Sequence, residues 1–302
     1  MQLILVLVAL ALALGSARDA HAATAGAFPP QFDTQGIYLQ QDTAQDPARL
    51  EHLINNALEL GINTFVVDLW SRHPAYAPAI ERIRAAGIRY VPRVVMFAEG
   101  GTHEQIIDQA RWLKRWGLVK YALDLGAKDI QLDYIRYSST TKPSPSNALN
   151  VRNVVQFFKQ RVNAAGARLQ IDVFGEAAHA PSPRIGQDLG LLAAHIDAVC
   201  PMVYPSHYKP YLERSQLPYE TVFDSLTALR RQLGKHPVDI YAYIELYNHR
   251  KPATIAERIG YIRAQLRAVK ESHADGWFAW SAGNKYDLLF EILRRFKNEA
   301  AG

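Results

Sequence analysis

A single cysteine, Cys200, is present among 302 residues. An intramolecular disulfide is therefore impossible, and the core alone must hold the fold. Cys200 sits inside the run Ala198–Val203 and reads as a small buried core residue. The chain also lacks a Cys-x-x-Cys pair, a His-Glu-x-x-His motif and a glycine-rich phosphate loop. Zinc, redox and nucleotide chemistry lose their usual support, so no cofactor and no metal site is expected.

Long runs of one charge are missing as well. The net charge is +5 and the pI near 9.2, but lysine and arginine are scattered. Arg111–Arg115 and Arg294–Lys297 read as solvated helix faces, and no nucleic-acid partner is expected. The apolar stretch Leu3–Leu14 is too short to span a bilayer well, so the mature chain should carry no transmembrane span. Ala20-His21-Ala22 follows it with a small-x-small cleavage pattern. Residues 1–22 read as a signal peptide, which implies export to the periplasm or the medium. No lysine or arginine precedes the apolar stretch, which leaves retention as an anchor as the alternative. Residues 30–300 remain, enough for one domain with a large core.

What the chain does have is eight apolar, β-rich runs: Gly36–Gln40, Ile62–Trp70, Ile88–Phe97, Asp129–Tyr137, Leu169–Glu176, Ile196–Tyr204, Val238–Tyr247 and Gly276–Trp280. Segments with helical period, such as Pro47–Leu60 and Ala253–Lys270, separate most of them. This alternation predicts an α/β fold, a single (β/α)8 TIM barrel. Functional groups of such a barrel gather at the C-terminal ends of its strands. Side-chain parity then sorts the strand residues. Leu169, Ile171 and Val173 suit a face under helices, which turns Gln170, Asp172, Phe174 and Glu176 inward. Gln131 and Asp133 turn inward on the fourth strand. Tyr241, Tyr243 and Glu245 do so on the seventh, and Asp68 on the second. A barrel lined by so many polar groups is arranged for a polar ligand.

Two carboxyl groups flanking a bond are what glycoside hydrolysis needs, one protonated and one ionised. Asp133 and Glu176 end adjacent strands, about 4.8 Å apart. Their carboxyls can reach the ~5–5.5 Å separation of a retaining pair. Asp133 is the candidate nucleophile and Glu176 the candidate acid/base, with Glu245 as an alternative acid or a stabiliser of positive charge. Asp68 and Asp172 are candidates for sugar hydroxyls or for holding a neighbouring group. Arg136 could pair with Asp133 at the rim. Trp70, Tyr204, Tyr208, Tyr243, Tyr247, Trp277 and Trp280 fall at or near strand ends as candidate platforms for pyranose faces or as simple packing, with Trp280 the foremost platform. His207 could hydrogen-bond substrate or tune a carboxylate. The Ser138–Asn147 loop is either a cleft wall or an ordinary connection.

Asp129-Ile-Gln-Leu-Asp-Tyr-Ile-Arg-Tyr137, Asp172-Val-Phe-Gly175, Ile185-Gly-Gln187, Pro201-Met-Val-Tyr-Pro-Ser-His-Tyr208 and Gly276-Trp-Phe-Ala-Trp280 resemble the bacterial putative glycosyl hydrolase domain family. The matches run in order from about Gly36 to Tyr286. The resemblance implies a barrel of the wider glycosidase group. It also implies that Asp133, Arg136, Asp172, Tyr204, Ser206 and His207 belong to the shared site region. The chain departs from the family at the seventh strand, with Ile240-Tyr-Ala-Tyr-Ile-Glu245 in place of an Arg-Pro-Trp-Leu-Gln type run. Ser138-Ser139 stands where the family usually has a proline, and the family is not reliably acidic at the position of Glu176. The placing of Asp133 and Glu176 is similar to that of the nucleophile and acid/base in the α-amylase superfamily, a positional likeness only. Two function classes follow. One is an exported retaining glycosidase acting on a polysaccharide or oligosaccharide. The other is a catalytically inactive, carbohydrate-binding barrel. An esterase lacks its Gly-x-Ser-x-Gly elbow.

Overall fold

A computed structural model describes residues 32–251 and 253–301. The signal-peptide expectation for residues 1–22 lies outside them. Eight parallel strands close into a barrel in chain order. They are β1 (Thr34–Leu39), β2 (Thr64–Asp68), β3 (Arg89–Val95), β4 (Asp129–Asp133), β5 (Arg168–Phe174), β6 (Ala198–Met202), β7 (Asp239–Glu245) and β8 (Gly276–Trp280). The ring is sealed by β1 against β8, with Gln35 opposite Trp277. Gly276 is required at that seam, because a Cβ there would lie 2.3 Å from the Thr34 carbonyl oxygen.

The outer layer follows the strands as α1 (Pro47–Leu60), α2 (Tyr76–Ala85), α3 (Gln109–Asp124), α4 (Pro145–Ala164), the short α5 (Leu189–Leu192), α6 (Pro218–Leu233), α7 (Ile255–Glu271) and α8 (Asp287–Ala301). Local chemistry fixes their ends. Asp46 caps α1 by accepting from Ala48 N and Arg49 N, and Gly61 ends it at a φ of 74°. Thr254 and Glu257 form a reciprocal capping box at the start of α7. The Ser138–Asn147 loop runs into α4, where Ser144 caps the first turn. Asn147 Nδ2 ties its end to the Pro183 and Arg184 carbonyls at 3.0 and 3.1 Å. Among the described residues no helix is long and apolar enough to cross a membrane.

Strand parity produces two cores. Ile130, Leu132, Leu169, Ile171, Val173 and their equivalents pack outward beneath the helices. The inner face is mixed: Val66, Val91, Cys200, Tyr243 and Phe278 form an apolar cluster, threaded by polar groups that bond one another in layers. At the bottom, Asp129 accepts from Gln170 Nε2 at 3.0 Å and faces Arg89 at 3.9 Å. In the middle, Gln131 accepts from the Tyr243 hydroxyl at 2.9 Å and donates to Cys200 Sγ at 3.1 Å. These bonds satisfy the buried amides, which would otherwise each be costly. The top layer is built from charges.

Candidate active site

Arg93 is the centre of that top layer. Its place on β3, opposite Asp68 of β2 and Gln131 of β4, turns it inward with Val91. Its guanidinium donates to Asp68 Oδ1 at 2.5 Å. It also donates to Asp133 Oδ2, through Nη2 and through Nε at 3.0 Å. Nε lies 3.5 Å from Asp172 Oδ2 as well. Tyr38 completes the set, its hydroxyl donating to Asp68 Oδ2 at 2.5 Å. One cation thus faces three buried carboxyl groups, so charge balance disfavours ionising all three.

The protons settle accordingly. Burial pushes the Asp172 carboxyl well above the usual carboxylate range, and the neighbouring Asp133 charge pushes the same way against Arg93. Burial raises Asp68 too, while Arg93 and the Tyr38 hydroxyl pull it back. Burial alone would weaken the Arg93 cation, but Asp133, Asp68 and Asp172 together hold it well above its usual range. Asp172 Oδ1 has no hydrogen-bond partner. Burial thus favours the protonated form of Asp172 beside the carboxyl group that Arg93 binds, the kind of asymmetry that separates acid from base.

This has a consequence for stability. Asp172 holds its proton more tightly folded than unfolded, so its contribution is full below the ordinary carboxylate range. It is lost as pH rises through the raised folded value. Asp172→Asn removes the titration, so the variant's melting temperature relative to wild type should improve from about pH 4 to about pH 8. Thermal scans across that range check this; a pH-independent difference would contradict it.

Above the charges opens a cavity of about 430 Å³. Arg93, Asp133 and Asp172 form its floor, and Glu176 and His207 stand at its rim. Tyr204 and Trp280 stack on its wall with centroids 5.9 Å apart, and His207 meets Tyr204 edge-on at 5.6 Å. Tyr243 also lines it. Asp133 ends β4, where the chain turns sharply. Tyr134 takes a φ of 52°, unusual without glycine, and its N–H donates to Asp133 Oδ1 at 2.5 Å. Glu176 is exposed, in the first turn of a short helix, Gly175–His179, that follows β5. Among the described residues no ion-pair or hydrogen-bond partner engages its carboxylate.

Not every residue singled out from the sequence reaches this cavity. Asp68 lies beneath it, committed to Arg93 and Tyr38. Trp70 is 48% exposed on the loop after β2, away from the lining. Arg136 is buried behind Tyr134 and Phe174, its guanidinium 5.1 and 4.5 Å from their rings, and it donates to the Tyr137 carbonyl at 3.0 Å. It makes no ion pair with Asp133, because the turn at Tyr134 sends it behind the wall. Glu245 is buried and engaged away from the cavity: it accepts from Ser206 N and Ser206 Oγ, both at 2.8 Å, and from the Tyr261 hydroxyl, with His207 Nδ1 3.7 Å away. It does not line the cavity, and it pins the loop after β6 that carries His207.

Arg93 is the functional residue that sequence reasoning does not single out. Its signal is a cation in mid-strand at the parity of Val91, opposite an inward acid. Tyr134, Met202, Lys209 and Tyr211 also line the cavity, and nothing in their local patterns marks them.

Comparison with solved structures finds the same barrel fold in other proteins. The spore cortex-lytic enzyme SleL of Bacillus cereus superposes with a TM-score of 0.61 at 13% identity, over 87% of this chain and 74% of that one. A class V chitinase of Pseudomonas fluorescens Pf-5 gives 0.62 at 13% identity, over 87% and 99%. A chitinase domain of Ostrinia furnacalis in complex with penta-N-acetylchitooctaose gives 0.56 at 11% identity, over 88% and 96%. At these identities the likeness is one of fold. Among curated proteins none matches the sequence. Residues 98–286, which include β4 to β8 and all the cavity's carboxyl groups, match the family described as "Putative glycosyl hydrolase domain". The chain belongs to that family.

Proposed function

We propose that this protein is an exported glycoside hydrolase that cleaves a polysaccharide or oligosaccharide with Asp133 as nucleophile and Glu176 as acid/base. The observation that carries the reading is one cavity with Asp133 on its floor, an uncommitted Glu176 at its rim and stacked rings on its wall. Asp133 attacks the anomeric carbon while Glu176 protonates the departing glycosidic oxygen. The glycosyl–enzyme ester is then hydrolysed by a water that Glu176 deprotonates. Arg93 holds the Asp133 carboxyl in place through two hydrogen bonds. A carboxylate has about four lone-pair sites, so the three bonds from Arg93 Nε, Arg93 Nη2 and Tyr134 N leave about one for the cavity. Neutral Asp172 offers an O–H to a sugar oxygen. The wall formed by Tyr204 and Trp280 suits a pyranose face.

One observation favours a second reading, a binding barrel without catalysis: both oxygens of Asp133 already accept hydrogen bonds. A reducing-end release screen over bacterial and plant polysaccharides separates the two. The hydrolase releases product in proportion to time. The binding barrel shows saturable binding and no new ends. The anomer first formed, followed by NMR, should retain the configuration of the substrate, and an inverted product would contradict the nucleophile assignment.

A further inference from the structure

Between β6 and β7 the rim of the cavity is backed by polar groups in series. Buried Glu245, at the end of β7, accepts from Ser206 N and Ser206 Oγ, both at 2.8 Å, and from the Tyr261 hydroxyl. The Ser206 hydroxyl has one proton, and Glu245 takes it, so the hydroxyl oxygen is left as an acceptor. His207 Nδ1 lies 3.4 Å from that oxygen and 3.7 Å from Glu245 Oε2. Both polar atoms facing Nδ1 are thus acceptors. They place the proton of the singly protonated imidazole on Nδ1 and its lone pair on Nε2.

The ring is held from both sides. Tyr204 meets it edge-on at 5.6 Å and His249 at 5.1 Å. The His207 amide donates to the Tyr204 carbonyl at 2.9 Å, and Arg250 Nε donates to the Ser206 carbonyl at 2.9 Å. His207 lines the main cavity, whereas buried Ser206 and Glu245 do not. With its Nδ1 edge turned to them, the ring presents Nε2 to the cavity. Among the described residues nothing hydrogen-bonds that nitrogen.

A pyranose lying on the wall of Tyr204 and Trp280 carries its hydroxyls at its edge, where an acceptor beside Tyr204 can take one. We propose that His207 contacts substrate by accepting a hydrogen bond from a sugar hydroxyl at Nε2, and that Ser206 and Glu245 are positioning residues that fix this polarity. The inference rests on the main cavity as a sugar site, but not on which carboxyl group cleaves the bond. It gives Glu245 a role through His207 in place of the acid role expected from the sequence.

Long-range proton–nitrogen NMR correlations of the isotope-labelled full protein read the tautomer with no ligand present. At alkaline pH His207 should carry its proton on Nδ1, and Ser206→Ala should shift the population toward Nε2. A wild-type ring protonated mainly on Nε2 would overturn the relay. Calorimetry against chitotetraose, cellotetraose, xylotetraose and maltotetraose reads the contact. His207→Phe keeps a flat ring at a half-exposed position and removes the acceptor. It should weaken the tightest-bound of the four about five- to tenfold, the usual worth of one net hydrogen bond. Ser206→Ala should weaken it less, and should cost nothing further in the His207→Phe background. Wild-type affinity in His207→Phe, a Ser206→Ala penalty that persists in the double variant, or binding of none of the four would overturn the proposal. Failure of the hydrolase reading shows elsewhere, as binding without release of reducing ends, so the two failures are distinct.

Discussion

Glu176→Gln should lower turnover by about 10²–10⁴-fold, the usual contribution of a positioned general acid, while folding stability stays within about 0.5 kcal/mol. The two halves of this expectation have separate origins. Glu176 is exposed and no group of the described residues hydrogen-bonds its carboxylate, so the fold does not depend on its charge. Its side chain lines the cavity, where the proposed mechanism has it protonate the departing glycosidic oxygen. Glutamine keeps the shape and removes the titratable proton. Initial rates and denaturant melts of the same preparations check both halves. Wild-type turnover in the variant would remove Glu176 from the mechanism.

Arg93→Met should cost about 3–5 kcal/mol of stability near neutral pH, the usual penalty for stranding buried partners of an ion pair. Asp68, Asp133 and Asp172 would then share the top of the barrel with no cation. Protonation relieves that repulsion, so the penalty should shrink as pH falls toward the carboxylate range. Arg93→Lys should fall between the two, since an ammonium keeps the charge but cannot bridge three carboxyls as a planar fork does. Urea unfolding at two pH values gives the comparison. A loss under about 1 kcal/mol at neutral pH would contradict the central role given to Arg93.

The barrel itself was legible in the chain because each strand is a short apolar run broken by helical segments. Each run overlaps its strand: most are longer, as Ile62–Trp70 is than Thr64–Asp68, while β1 and β5 begin two and one residues before theirs. Parity also placed Asp133, Asp172 and Tyr243 inward, since a two-residue period is a property of the strand alone. Beyond the strand ends that rule stops. Arg136 lies only three residues past Asp133, yet the left-handed turn at Tyr134 sends it behind Phe174. The partners of Glu245 arrive from Ser206 and Tyr261, positions that loop paths decide. Trp70 was named for its ring, but its loop faces outward. Arg93 carries a legible signal in its parity, since it shares the inward face of β3 with Val91.

Time-resolved release of reducing ends by wild type and Asp133→Asn, measured side by side on a glycan that the wild type binds, tests the central claim most directly. The account predicts steady release by the wild type and a loss of orders of magnitude in the variant, with glycan binding retained by both. Equal release by the two proteins, or saturable binding by the wild type with no release at any time, would contradict it.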